Sequence, residues 1–251
     1  MAERRSFRIW RGSAEGGDFA SYEVELDPGM VVLDALLRIQ SREAPDLALR
    51  WNCKAGKCGS CSMEINGCPR LACMTRMNVF APHESITVQP LKAFPVLRDL
   101  VTDLSWNFEQ NRRIRPFKPK AKGADGRHRM YQEDVDRVQE FRKCIECFLC
   151  QDVCHVLRDR EGQAAFVGPR FMIRLASLEM HPLDDDDRIP DVKNDLGSAM
   201  CNITRCCTDV CPEHIGITDN GIIPLKERIV DRYYDPLRMI AGRLFGRFGG
   251  G

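Results

Sequence analysis

The stretch that decides the fold is residues 51–73, WNCKAGKCGSCSMEINGCPRLAC, in which cysteines follow a Cys-x4-Cys-x2-Cys spacing with a further cysteine beyond the loop. The four are Cys53, Cys58, Cys61 and Cys73. This is the plant-type spacing for a two-iron, two-sulfide (2Fe–2S) cluster. The intervening residues are small, among them Gly56 and Gly59, so the backbone can curl and aim N–H groups at cluster sulfurs. Structural zinc, which also takes four thiolates, is the alternative, although it more often uses two Cys-x2-Cys pairs.

Polar and apolar residues alternate on both sides of this loop and predict a small α+β domain. The predicted strands are Ser6–Trp10, Ser21–Leu26, Ser62–Ile65 and Ile86–Gln89. Apolar residues at helical spacing predict an amphipathic helix over Met30–Gln40 that packs on these strands. Asn66-Gly67 is a strong tight-turn signal. Cys68, just after that turn, lies outside the ligand spacing and is interpreted as a bystander thiol.

A second cysteine run has the spacing of bacterial ferredoxins. Its members are Cys144, Cys147, Cys150 and Cys154, separated by two, two and three residues. In such a run the fourth cysteine ligates the other cluster of a pair, and a proline normally follows it. Here His155 follows Cys154, and the proline appears later, in Cys211-Pro212. The run therefore predicts a partner run that ends at Cys211.

The same template read backward from Cys211 finds Cys207 and Cys201, but Thr204 stands at the middle ligand position. Crossing the two runs predicts a four-iron (4Fe–4S) cluster and a three-iron (3Fe–4S) cluster that lacks one corner ligand. The 4Fe–4S ligands are then Cys144, Cys147, Cys150 and Cys211, and the 3Fe–4S ligands are Cys154, Cys201 and Cys207. Cys206 is an alternative to Cys207, although the spacing to Cys211 favours Cys207. A multinuclear zinc site is the other alternative for the whole group.

Three clusters on one chain indicate electron transfer rather than catalysis, because each passes one electron at a time. The chain has no glycine-rich nucleotide-binding fingerprint of its own, since Gly56–Gly59 lies inside the cysteine loop. Substrate chemistry is therefore expected on a partner subunit, and no catalytic residue is predicted here.

Composition limits the class of protein. The 251 residues carry a formal net charge of +1, which removes the general electrostatic argument for nucleic-acid binding. No stretch approaches the ~20 consecutive apolar residues of a membrane span, and the N-terminus shows neither a secretory signal nor a transit peptide. The 13 cysteines are odd in number and clustered. In a reducing cytosol they are expected to bind metal rather than form disulfides.

Changes in composition along the chain predict four segments. These are a 2Fe–2S domain over 1–105, a linker over 106–134, a helical domain over 135–240 and a tail over 241–251. Asn111–Arg129 is basic and broken by Pro and Gly, with almost nothing to bury. Asp184–Asp187 is predicted to be a solvated loop. Asp235–Phe248 is basic and amphipathic, so it is predicted either to lie on a membrane surface or to pack on its own domain.

The three segments WNCKAGKCGSCSMEINGCPRLAC, CIECFLCQDVC and CNITRCCTDVCP, in that order, resemble the iron–sulfur subunit of succinate dehydrogenase and fumarate reductase. The resemblance covers the chain from the first strand to about Tyr234 and includes all eleven expected ligands. It implies an N-terminal β-grasp plant-type ferredoxin domain and a C-terminal all-α bacterial-ferredoxin-like domain. It also implies a flavoprotein partner with FAD that oxidises succinate, and a membrane anchor where quinone is reduced.

The sequence departs from the family on the quinone side. Many members have Pro and then a quinone-contacting Trp after the equivalent of Cys154, and often a His after the equivalent of Cys201. Here His155 and Arg158 follow Cys154, and Asn202 follows Cys201. These three residues are the candidate quinone-side contacts. An anchor that supplies most of the pocket is the alternative, with His155 merely packed or solvent-facing.

The resemblance implies that an integral anchor holds the chain peripherally at a membrane. Without a recognisable transit peptide, the expected location is the cytoplasmic face of a bacterial membrane, and a fully processed chain is the alternative. Three rival functions stay open from sequence alone. They are the same subunit in a quinol:fumarate reductase, a stand-alone iron–sulfur carrier and a zinc-stabilised interaction protein.

Overall fold

The computed structural model describes residues 3–236, and its N-terminal half is a seven-stranded sheet crossed by one helix. The strands are β1 (Arg4–Ser13), β2 (Gly16–Glu25), β3 (Ser62–Ile65), β4 (Cys68–Leu71), β5 (Ile86–Gln89), β6 (Val96–Arg98) and β7 (Val101–Thr102). The order across the sheet is β4-β3-β5-β1-β6-β7, with β2 pairing antiparallel to β1 and β5 parallel to it. The predicted α+β class is confirmed, and the bounds of β3 and β5 match those predicted.

The sheet and the helix α1 (Val32–Arg42) enclose the first core. Phe7 and Ile9 of β1 are fully buried while Ser6 and Arg8 are not, which is the alternation expected of a strand with one covered face. Leu36 and Ile39 from the apolar side of α1 are also fully buried. This core fixes both ends of the cysteine loop, because the loop runs from the end of α1 into β3.

The C-terminal half is helical. Its helices are α2 (Ser105–Arg112), α3 (Gln132–Gln139), α4 (Leu149–Asp152), α5 (Arg160–Ala165), α6 (Pro169–Glu179), α7 (Ile189–Asn194), α8 (Cys206–Asp209) and α9 (Ile223–Tyr233). Short 3-10 segments lie at Met77–Val79, Glu140–Lys143, His155–Arg158 and Ser198–Met200, and a π-helical turn lies at Ile217–Ile222. Helices α3 to α9 all lie at or within the segment predicted to be helical, apart from the first residues of α3. Helix α6 is the centre of this half, since α3, α4 and the π turn all pack on it.

The segment predicted as a linker starts inside a helix. Asn107 and Gln110 of α2 are buried, and Nε2 of Gln151 donates to the side-chain oxygen Oδ1 of Asn107 at 3.3 Å. Beyond α2 the chain is extended and exposed as far as Arg129, with Ile114 alone buried. The domain boundaries at 105 and 134 stay predictions.

The prediction of a solvated Asp184–Asp187 loop is wrong for Asp184. Its side chain is 2% exposed and lies 3.1 Å from Nη2 of Arg188, whose side chain is fully buried. Arg188 also donates to the backbone oxygens of Arg115 and Pro116, at 3.0 and 2.6 Å. A guanidinium buried beneath the loop thus draws the first of the four aspartates inward and ties the extended segment to the helical half.

No helix within residues 3–236 is long and apolar enough to cross a membrane. Most of the amphipathic segment Asp235–Phe248 and the whole predicted tail 241–251 lie outside the described residues.

Candidate iron–sulfur centres

The first cysteine loop wraps its own sulfurs in backbone amides. The amides of Ala55 and Lys57 donate to the Cys53 sulfur at 3.4 and 3.3 Å, and the Cys53 amide donates to the Cys58 sulfur at 3.5 Å. On the far side, the Cys73 amide donates to the Cys61 sulfur at 3.5 Å. Such hydrogen bonds stabilise negative charge on sulfur, which is what thiolate ligands of a cluster carry.

Glycine is required where the loop turns back. Gly56 has a φ of +66°, and a Cβ there would lie 2.9 Å from the Met74 side chain. Gly59 has a φ of +69°. The left-handed conformation at these two positions costs an L-residue free energy that glycine avoids. The sequence therefore closes the loop tightly enough to bring the four predicted 2Fe–2S thiols together.

The four thiols of this loop differ in their surroundings. Cys53 is exposed, Cys58 is partly buried, and Cys61 and Cys73 are buried. A hydrogen bond from Ser60 leads the effects that lower the pKa of Cys58 to about 6, whereas burial raises the pKa of Cys61 to about 12. A bound cation favours thiolate at every ligand, so metal binding here must release protons, chiefly from the buried side.

The second predicted set lines one cavity. Cys144, Cys147, Cys150 and Cys211 border this cavity together with Pro212 and Ile173. Glu146 and Phe148 adopt left-handed conformations between the cysteines, with φ of +54° and +60°, which turns successive side chains toward the same space. Burial raises the pKa of Cys147 to about 12 and that of Cys150 well above its usual value. The metal donors are all thiols, and the rest of the lining is apolar apart from Arg170 and Glu213.

The third predicted set lines a second cavity. Cys154, Cys201 and Cys207 border it, and so do Thr204 and Cys206. Thr218 contacts the Cys207 sulfur through its hydroxyl at 3.4 Å. Burial raises the pKa of Cys207 to about 11. Cys211 therefore lies with Cys144, Cys147 and Cys150. Cys154 lies with Cys201 and Cys207, so the two cysteine runs exchange one residue each, as the sequence predicts.

Each predicted ligand set thus shares one place in the fold, although the identity of the bound cluster stays a prediction for each. Within residues 3–236, no group of three or more His, Cys, Asp or Glu side chains has the geometry of a site for a single metal ion.

The first and second centres are in direct contact. A Cβ on Gly59 would lie 2.7 Å from the Cα of Cys147, so the two ligand loops meet backbone to backbone. Lys57, on the same loop, lies 2.8 Å from the Glu213 carboxylate, two residues after Cys211. Helix α4 then leads from Cys150 of the second centre to Cys154 of the third, and it packs on α8, which carries Cys207.

A pair of buried carboxyl side chains, Glu64 and Asp152, lies between the two halves and was not predicted from the sequence. Glu64 of β3 is 2% exposed and accepts from Lys92 at 2.7 Å and from Gln89 at 2.5 Å. Asp152 of α4 is fully buried and accepts from the Ala93 amide at 2.9 Å. Burial, with the nearby Glu64 charge adding to it, raises the pKa of Asp152 to about 7. The available signal was two acidic residues inside otherwise apolar, cysteine-rich segments.

The candidate quinone-side residues are only partly brought together. His155 and Asn202 are exposed and line the mouth of the third cavity, next to Cys154 and Cys201. Arg158 is exposed at the end of the same 3-10 segment as His155 but is not among the residues that line this cavity. Cys68 pairs with Ile65 across the β3–β4 hairpin, away from the three thiol sets.

Two family models match the chain in agreement with this geometry. Residues 6–109 match a 2Fe-2S iron-sulfur cluster binding domain. Residues 140–215 match a 4Fe-4S dicluster domain. The chain accordingly binds a 2Fe–2S and a 4Fe–4S cluster.

Full-length similarities extend across both halves. A solved structure described as the Mycobacterium smegmatis Sdh1 complex in the apo form contains a chain 57% identical, with a TM-score of 0.91, covering 94% of this chain and 100% of that one. The fumarate reductase iron-sulfur subunit of Mycobacterium tuberculosis is 32% identical over 215 residues, covering 82% of this chain and 83% of its own length. An uncharacterized iron-sulfur protein of Methanococcus maripaludis is 30% identical over 239 residues, and the match spans 45% of that longer protein.

Proposed function

The chain belongs to the iron–sulfur subunit family of succinate dehydrogenase and fumarate reductase, and from that premise we propose that it carries single electrons from the FAD of a partner flavoprotein to a quinone at a membrane anchor. The observation that carries the proposal is the placement of three thiol sets in a row. The first set meets the second through Gly59 and Cys147, and α4 joins the second to the third.

The proposed order follows the chain. Cys53, Cys58, Cys61 and Cys73 hold the 2Fe–2S cluster, and Cys144, Cys147, Cys150 and Cys211 hold the 4Fe–4S cluster. Cys154, Cys201 and Cys207 hold a 3Fe–4S cluster. Each bound cluster supplies a site that accepts and releases one electron. The chain itself supplies thiolates, amide hydrogen bonds to sulfur and the burial of Cys150 and Cys207.

We propose succinate oxidation as the physiological direction, supported by the 57% identity to the Sdh1 chain. Fumarate reduction is the second candidate, since the relatives at about 31% identity are fumarate reductase subunits. The ratio of succinate:quinone to quinol:fumarate activity in the purified complex separates them. A ratio well below one would reverse the proposed direction.

The third centre faces the proposed exit. His155 and Asn202 at its mouth are exposed, as residues that meet an anchor and its quinone must be before assembly. Peripheral attachment through that anchor is part of the proposal. His155→Ala is expected to raise the quinone KM of the complex, with Arg158→Ala as the neighbouring comparison. Unchanged kinetics in both variants would assign the pocket to the anchor.

The test of the whole proposal is metal and flavin content with low-temperature EPR of the complex. We expect about nine non-haem irons per chain, co-purifying flavin, a three-iron signal when oxidised, and two- and four-iron signals when reduced. Iron without flavin would identify a stand-alone carrier. A colourless, zinc-containing protein would identify the interaction-protein alternative.

A further inference from the structure

We propose that Cys206 is a conditional fourth ligand of the third centre, which lets this site take up ferrous iron and close a three-iron cluster into a four-iron one. The inference rests on the proposed function, because it presupposes a 3Fe–4S cluster held by Cys154, Cys201 and Cys207.

Cys206 lies beside the position of the missing fourth ligand. Thr204 occupies the place of the missing fourth ligand in the Cys-x2-x-x2-Cys template, and its hydroxyl lies 3.3 Å from the Cys206 sulfur. The thiol of Cys206 therefore lies next to the point from which a fourth ligand would reach the open corner. Threonine itself offers a neutral hydroxyl, a poor ligand for an iron–sulfur cluster beside an available thiol.

Four cysteines meet at the third cavity. Cys206 borders the same cavity as the other three cysteines, so four sulfurs surround this space, as in the second centre. Its thiol also donates to the backbone oxygen of Val153 at 3.8 Å, one residue before the predicted ligand Cys154. Cys206 therefore lies within reach of the same space as the three assigned ligands.

One side of the third cavity is open to solvent. Cys154 and Cys207 form the buried floor of the cavity, whereas residues 202–205 are all exposed and form its outer edge. Ile203 and Arg205 adopt left-handed conformations, with φ of +62° and +66°, which holds this edge away from a regular helix until α8 begins. The open corner therefore faces solvent, from which an iron can enter without unfolding the core.

The chemical step balances with ferrous iron as the co-reactant. The one-electron-reduced three-iron cluster has a core charge of zero, and addition of Fe²⁺ gives a four-iron core of charge 2+. Cys206 forms the new iron–sulfur bond and its thiol proton goes to solvent. Loss of Fe²⁺ from the four-iron core, with reprotonation of the Cys206 thiolate, reverses the step.

The consequence is control of the electron exit. Cluster potential depends on cluster type and net charge. Three-iron clusters lie toward the oxidising end, so conversion to a four-iron cluster lowers the potential of the last carrier before quinone. The site would then couple the exit step to ferrous iron and reducing conditions.

The test is anaerobic treatment of the dithionite-reduced complex with ferrous ammonium sulfate, followed by desalting, reoxidation and EPR. For wild type we expect the three-iron signal to fall by at least half and iron to rise toward one extra atom per chain. Cys206→Ser and Cys206→Ala are expected to keep the signal. Cys68→Ser, a cysteine change outside the three sets, is the matched control and should convert like wild type.

Three results overturn the inference. The first is a wild-type three-iron signal that survives treatment with ferrous iron. The second is a loss of that signal in both Cys206 variants as large as the loss in wild type. The third is the absence of any three-iron signal before treatment. The last also overturns the proposed three-iron ligand set, whereas the first two leave it intact. The 2Fe–2S signal of each variant reports that the chain has folded, and Thr204→Cys, which should hold four irons without treatment, supplies the reference spectrum.

Discussion

Gly59 and Cys147 meet through their backbones, with only 2.7 Å available between a Cβ at Gly59 and the Cα of Cys147. This contact joins the loop that carries the predicted 2Fe–2S ligands to the loop that carries three of the predicted 4Fe–4S ligands. Any side chain at Gly59 must push the two loops apart, because the neighbouring atom is backbone and cannot rotate away. The distance between the first two predicted clusters therefore depends on residue 59 having no Cβ atom.

Gly59→Ala is expected to slow electron transfer from the first to the second cluster and to destabilise the fold by about 1–2 kcal/mol through its left-handed backbone. Freeze-quench EPR of the complex measures the transfer step. Gly67→Ala is the matched control, because Gly67 also has a positive φ, of +72°, but no atom within 4 Å of its added Cβ. Equal transfer rates in the two variants would contradict the role assigned to the contact.

The ion pair beside this contact is expected to matter much less. Lys57 is 68% exposed and Glu213 15% exposed, so solvent screens most of their attraction. Lys57→Met and Glu213→Gln should each change the free energy of unfolding by about 0–1 kcal/mol. A double-mutant cycle at low and high salt measures the coupling. A coupling free energy above about 2 kcal/mol would mean that charge, rather than backbone fit, holds the loops together.

Arg188 is expected to be the most sensitive charged residue outside the centres. Its removal leaves Asp184 buried without its cation, so Arg188→Leu should cost about 3–5 kcal/mol in the free energy of unfolding. Arg115→Leu, on a half-exposed arginine paired with Asp186 and Asp191, should cost less than about 1 kcal/mol.

The double variant Asp184→Leu/Arg188→Leu distinguishes a buried charge from lost packing, because removing both charges restores most of the stability. Denaturant unfolding of the cluster-loaded chain measures all four proteins. No recovery in the double variant would show that packing dominates.

Stability is expected to fall with rising pH through Glu179 of α6. Burial raises the pKa of this carboxyl above its usual 4.5, and the Arg188 amide donates to it at 3.0 Å. The folded chain therefore keeps a proton that the unfolded chain releases. The contribution is complete below pH 4.5 and is lost as pH rises through the higher folded value.

Glu179→Gln should flatten this dependence, since the amide oxygen still accepts from Arg188 but carries no charge. Unfolding midpoints at pH 5 and pH 8 provide the measurement. Glu227→Gln, on an exposed face of α9, is the surface control. A Glu179→Gln slope as steep as that of wild type would assign the dependence to another group.

Local patterns were sufficient for much of the fold and of the candidate centres. The strands β3 and β5 and the helix α1 were predicted because side-chain periodicity and turn residues act over a few positions. The cysteine sets were predicted because ligands of one centre lie close in sequence, apart from Cys73, Cys154 and Cys211.

Features that depend on contacts between distant segments were not predictable. The burial of Asp184 requires Arg188 to be covered by the segment around Pro116, 72 residues away along the chain. The Glu64–Asp152 pair exists only where β3 meets α4. The burial of Asn107 depends on packing against Gln151. In each case a polar residue that looks solvated in sequence is buried by a segment whose arrival no local pattern encodes.

Helix α4 is four residues long, and the thiols at its start and just after its end belong to different cavities. The last two predicted clusters therefore share one short structural element. Their maturation is expected to be joint, with insertion at one cavity ordering the short helix that the other requires. An assembly factor that delivers metal to one would leave its neighbour half prepared, and a defect in biogenesis at either should remove both.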